Sequence, residues 1–145
     1  MPELRIDQVD GETMLRDWQH VHNEIIPNAV LSLDEVRERV QRHHLEVAYL
    51  GDVVVGCSTV RPPEPDAATV IARVLPEYRG QGIGRQLYER GLAVARDLGA
   101  SVVETIVLAS NVDGLRFAQQ RGFVETERYL LPGDNDPFVT LRLPE

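Results

Sequence analysis

Hydrophobic and polar residues alternate over 3–9 (ELRIDQV), the two-residue period of a half-buried strand. The period then changes. Met14, Leu15, Trp18, Val21, His22, Ile25 and Ile26 fall on one face of a helix over 12–26, which Pro27 stops. Ser32 with Glu35 three residues on is a capping box, and it opens a second helix to about His43 with Leu33, Val36 and Val40 inward. Runs rich in β-branched residues predict strands over 45–50, 53–60 and 68–75. Gly51-Asp52 turns the first of these into the second, and RPPEPD at 61–66 leads into the third. A long helix is predicted over 82–98, with Ile83, Leu87, Tyr88, Val94, Ala95 and Leu98 inward and Gly99 past its end. A strand over 101–108, a short helix over 112–121 ended by Gly122, and strands over 123–130 and 137–143 complete the chain. The order β-αα-βββ-α-β-α-ββ predicts an α/β fold of α+β character, a mixed sheet with helices on both faces. With 145 residues and no linker-like stretch, residues 1–145 are expected to form a single domain.

Composition narrows the function. Hydrophobic residues make up 43% and charged residues 26%, as in ordinary globular proteins, which excludes disorder or coiled coil as the main architecture. No apolar run approaches the ~20 residues needed to span a bilayer, and no secretory signal core is seen. The single cysteine, Cys57, excludes an internal disulfide, and a reduced cytoplasmic setting is expected. A net charge of −8 argues against nucleic acid as a partner. All 15 basic residues counted as Lys or Arg are Arg, so no lysine base, Schiff base or Walker lysine is available.

The chemistry concentrates at Val74-Leu75-Pro76-Glu77-Tyr78-Arg79-Gly80-Gln81-Gly82-Ile83-Gly84. There a strand ends, a glycine-rich loop follows and the long helix begins. Free backbone N–H groups and the helix dipole favour an anion at such a junction, and glycines let the backbone approach it closely. Arg79 and Arg85 add charge, so a phosphate or pyrophosphate is the expected ligand. A Walker A loop fails for want of lysine, and the dinucleotide fingerprint fails because its third glycine would be Arg85. What fits is R-x-x-G-x-G preceded by V-x-P.

These residues, with Ser110-Asn111 after the 101–108 strand, Gly122-Phe123 after the short helix, and the element order, resemble the GNAT superfamily of acyl-CoA-dependent N-acyltransferases along essentially the whole chain. The resemblance implies a GNAT fold with a splayed central sheet and transfer of an acetyl or similar acyl group from acetyl-CoA to a primary amine on a small molecule or peptide. It implies CoA contacts at Val74, Leu75, Arg79, Gly80, Gln81, Gly82, Ile83, Gly84, Arg85 and Asn111. The loop amides would hold the pyrophosphate, and the strand around Val74 the pantetheine arm. Asn111 reads equally as a helix N-cap.

Two positions depart from the family. The tyrosine that often serves as general acid toward the CoA thiolate is replaced by Ala118, and the frequent general-base glutamate by Ala68. Asp66 and Glu104 are the candidate bases, with Glu64 near Asp66, and Tyr129 is the candidate acid if water does not serve. A non-catalytic acyl-CoA-binding or regulatory module therefore stands as the alternative. His20, His22, His43 and His44 lack the i, i+4 spacing of a helical metal site, so no metal is expected. Trp18 and Cys57 read as core. Acceptor specificity is expected from 12–44 and from the loop 130–137, where Asp134, Asn135 and Asp136, with Asn23 and Glu24 opposite, suggest a cationic amine. Monomer and homodimer are both compatible with the sequence, and no membrane partner is expected.

Overall fold

The structure is a computed structural model describing residues 3–144. Its strands are β1 (Leu4–Gln8), β2 (His44–Leu50), β3 (Val53–Arg61), β4 (Ala67–Val74), β5 (Val102–Leu108), β6 (Val124–Tyr129) and β7 (Phe138–Leu143). Its helices are α1 (Glu12–Ile25), α2 (Leu33–Arg42), α3 (Ile83–Asp97) and α4 (Val112–Gln120). The chain order is the one the hydrophobic periods predict. The strands form one seven-stranded sheet of order β1-β2-β3-β4-β5-β7-β6. β4 and β5 are parallel and all other neighbours antiparallel.

Alternation along the strands divides the core. Leu45, Val47, Tyr49, Cys57 and Leu75 pack under α1 and α2 with Trp18, Val21 and Val36. Val60, Ala68, Val70, Val139 and Leu141 pack on the other face with Tyr88, Ala95 and Ala118 of α3 and α4. Trp18 is fully buried and its indole N–H donates to the Ser58 carbonyl at 3.1 Å, which satisfies the only polar atom of the ring. The Ser32–Glu35 capping box is present with both hydrogen bonds. Gly91 lets α3 lie close on the sheet, because a Cβ there would meet Val70 Cγ1 at 2.5 Å. Leu98 departs from its predicted place: the helix ends at Asp97, and Leu98 caps it at 47% exposure.

Candidate active site

β4 and β5 run side by side only where Ala67, Ala68 and Thr69 pair with Val102, Val103 and Glu104. Beyond Thr69 they separate. The Leu75 N–H is committed to the Val55 carbonyl on the β3 side. Alternation therefore turns the peptide groups of Ala72 and Val74 to the opposite edge, into the gap. A cavity of about 760 Å³ occupies this gap and passes through the sheet. Ala72, Val74, Tyr88, Thr105 and Phe117 line it on the α3–α4 side, and Ile26, Ile71, Arg73, Ile106 and Leu108 on the α1–α2 side.

At the mouth, one turn of 3-10 helix (Pro76–Tyr78) leads to Gly80 and Gly82, both at φ +82°. Gly82 is the residue before α3, and its conformation is one that side-chain-bearing residues rarely adopt. The first helical bond is the Gln86 N–H to the Gly82 carbonyl. The amides of Ile83, Gly84 and Arg85 therefore have no partner within the helix and point toward the mouth. No side chain caps this end. Arg79 is fixed here: its Nε donates to the Val74 carbonyl at 2.9 Å and its Nη1 to Asp113 at 3.4 Å. Five arginines (Arg73, Arg79, Arg85, Arg116 and Arg121) and one carboxylate, Asp113, line the cavity. In a chain of net charge −8, that is a local reversal of sign.

Of the residues singled out from the sequence, Val74, Arg79, Gly80, Gly82, Ile83, Gly84, Arg85 and Asn111 line the cavity. Leu75 does not. It follows the last residue of β4, on the same face as Arg73, and is buried in the core with Trp18. Gln81 is exposed at the tip of the loop. Asn111 caps α4, its Oδ1 accepting from the Gly114 N–H at 3.0 Å.

The catalytic candidates are placed differently. Asp66 is exposed just before the paired end of β4, where it accepts a hydrogen bond from Ser101. Glu104 faces Arg142 at 3.4 Å, and Tyr129 is exposed and stacked on Phe138. None of the three lines the cavity, and the structure does not bring them together. The 130–137 loop is also not a free acidic rim. Asp134 accepts from Asn28, and Asp136 accepts from the backbone and hydroxyl of Ser110.

Tyr88 and Arg73 are among the cavity residues that escaped the sequence reading. Tyr88 appeared only as an inward helical position. Its ring meets Phe117 and Phe123 edge-on beside Ala118, and burial pushes its phenol up to about 12. Arg73 was hidden in an apolar strand run, ATVIARVL, where a lone arginine was itself the available signal. Among the described residues, no group of three or more His, Cys, Asp or Glu is placed to hold a metal ion, and no helix is long and apolar enough to cross a membrane.

Residues 9–123 match the acetyltransferase (GNAT) family model. No curated protein matches the chain in sequence. Solved structures match its fold. A putative acetyltransferase of Salmonella typhimurium, YncA, with its cofactor acetyl-CoA, superposes with a TM-score of 0.78 at 17% identity, covering 97% of this chain and 92% of the other. A Bacillus subtilis acetyltransferase in complex with CoA does so with a TM-score of 0.71 at 23% identity, covering 97% and 98%. The ribosomal-protein-alanine N-acetyltransferase of Brucella melitensis reaches 0.77 at 19% identity, covering 95% and 98%. The chain belongs to the GNAT acetyltransferase family.

Proposed function

We propose that this member of the GNAT family transfers an acetyl group from acetyl-CoA to a primary amine of a small molecule or peptide. The observation that carries the reading is the cavity itself. It begins at unpartnered loop amides ringed by arginines and continues along an unpaired strand edge. It then passes through the sheet to the opposite face. The mouth suits a pyrophosphate, and the peptide groups of Ala72 and Val74 suit an amide-bearing arm laid beside β4 as an added strand. The gap admits a thioester from one face and an amine from the other.

The amine nitrogen attacks the thioester carbonyl carbon, the C–S bond breaks and an amide forms. Tyr88 is assigned the proton for the departing sulfur. Its phenol is raised by burial, so it is protonated at neutral pH, and it lines the cavity next to Ala118. Asp113, the one lining carboxylate, is at the mouth facing Arg79, so the amine loses its proton to water. Much of the acceleration then comes from holding the two reactants together.

The second reading, a non-catalytic acyl-CoA-binding module, is favoured by Ala118 and Ala68, which are buried where the family often carries its acid and base. Thiol release from acetyl-CoA across a panel of primary amines separates the two. We expect turnover that a folded Gly82→Val variant loses, together with at least a 100-fold loss of acetyl-CoA affinity. Binding without turnover of any amine would establish the second reading. A folded Gly82→Val protein that binds acetyl-CoA as the wild type does would overturn the cofactor site.

A further inference from the structure

The α1–α2 face of the sheet carries arginines for which the fold provides no carboxylate. Arg61 and Arg73 stand on adjacent strands and on the same face, since Cys57 lies opposite Arg73 in the register and Arg61 opposite Thr69. Arg39 of α2 lies over them, close enough that Arg61 lowers its affinity for a proton and that Arg61 and Arg39 both lower that of Arg73. None of the three makes an ion pair or a side-chain hydrogen bond among the described residues, and Arg61 Nε is buried with no partner at all. Arg73 is a cavity wall residue beside Ile71 and Ile106, on the side away from the glycine loop.

The surroundings do not compensate. Around these guanidinium groups stand His22, His43, Arg42, Cys57 and Tyr129. Burial, with Arg73 beside it, holds His22 down at about 4. Burial likewise holds His43 at about 4 and pushes the Cys57 thiol up to about 12. All three are neutral at pH 7. The acids whose charge reaches the cluster, Glu35 and Glu38, lie on α2 and act on Arg39 alone, and Glu35 is held by the Ser32 cap and Glu38 by Arg42. Burial lowers Arg73 only to about 10, so it remains a cation. The three are half-buried and desolvated, a charge in that state without a partner is costly, and a chain with 23 acidic residues had carboxylates to spare. An anion supplied from outside would remove the cost.

We propose that the acceptor is a small primary amine that also carries an oxyanion, a carboxylate or a phospho group, and that Arg73 binds this oxyanion with Arg61 and Arg39 beside it. This rests on the acetyl-transfer reading and names its acceptor class. It is an alternative to the cationic acceptor suggested by the 134–136 loop, where Asp134 accepts from Asn28 and Asp136 from Ser110. With the oxyanion on Arg73, the amine of a short molecule lies toward the gap between β4 and β5.

The test uses the full chain and two readouts. The first is thiol release at saturating acetyl-CoA with matched sets: an amino acid, its uncharged amide, the corresponding aminophosphonate, and polyamines. We expect kcat/KM for the anionic members to exceed that for the amides at least tenfold. Arg73→Met should raise acceptor KM at least 30-fold and erase that preference, with acetyl-CoA affinity within threefold of wild type. Carboxylate and phosphonate arms decide which oxyanion is preferred. The second readout needs no turnover: the same anions should raise the melting temperature of the wild type and not that of Arg73→Met. Arg61→Gln, should Arg73→Met not fold, is expected to weaken both effects about tenfold. Equal or better use of amides or polyamines, or a preference intact in Arg73→Met, overturns the proposal. Arg73-dependent anion binding with no acetyl transfer to any amine would leave the anion site standing and overturn the acetyl-transfer reading instead.

Discussion

Both faces of the sheet bury charge, and they treat it in opposite ways. On the α3 face, Glu46 is 3% exposed, and its carboxylate accepts two hydrogen bonds from Arg90, at 2.8 and 2.9 Å, with His44 at 3.0 Å. Burial alone would raise this acid, but the bonds from His44 and Arg90 and the charge of Arg90 outweigh it and hold Glu46 at about 2. On the α1–α2 face, Arg39, Arg61 and Arg73 have no such partner. A satisfied pair stabilises the fold and is finished with solvent and ligand. An unsatisfied cluster costs stability, which is the usual signature of a site awaiting its ligand. The contrast explains how an acidic protein can present a cationic cavity.

The largest test of this contrast is Glu46→Gln. It removes the charge from a bidentate pair while Arg90, half exposed, turns to water. Unfolding in urea should show a loss of about 2–4 kcal/mol, and no loss would mean the pair is not structural. The pH dependence sharpens the same point. Both His22 and Glu46 have folded values below their ordinary ones, so each contributes stability above its unfolded pKa that is lost as pH falls through the folded value. The His22 limb runs from about 6.5 down to about 4, and the Glu46 limb from about 4.5 to about 2. Each is on the order of 3 kcal/mol. His22→Phe should shrink only the upper limb of a urea-midpoint titration, which His43 shares, and Glu46→Gln should flatten only the lower.

On the other face the sign should reverse. Arg73→Met replaces an unpartnered cation with an apolar chain of similar length, and we expect a gain of about 1–2 kcal/mol without ligand. A loss would mean the guanidinium is compensated and would break the comparison. The tyrosines give a comparable but purely kinetic contrast. Tyr88→Phe should lower kcat about tenfold with acetyl-CoA affinity unchanged. The smallest effect expected is that of Tyr129→Phe, which lies outside the cavity and should leave kcat within about twofold.

The legible part of this protein was what short-range physics writes into consecutive residues. Helical and strand periods placed every element in order, the Ser32–Glu35 box marked the start of α2, and the glycines and arginines of 79–85 marked the mouth of the cavity. Each depends on neighbours a few residues apart. Trp18 and Cys57 were likewise readable as core from their apolar settings. What no local pattern could carry is which residues from distant segments share the cavity. Asp66 and Glu104 were chosen by chemical type and strand parity. The parting of β4 and β5 beyond Thr69 decided that the cavity opens past them. The phenol that shares the cavity with Ala118, Tyr88, comes from a different helix about thirty residues earlier in the chain, a link no local pattern carries. Arg73 and Leu75 sit two apart on one strand face, yet one reaches the cavity and the other the α1 core. The sequence alone determined the elements and the mouth of the site. The gap, and with it the choice of side chains that meet there, was decided by sheet register and splay, which arise from packing over the whole molecule.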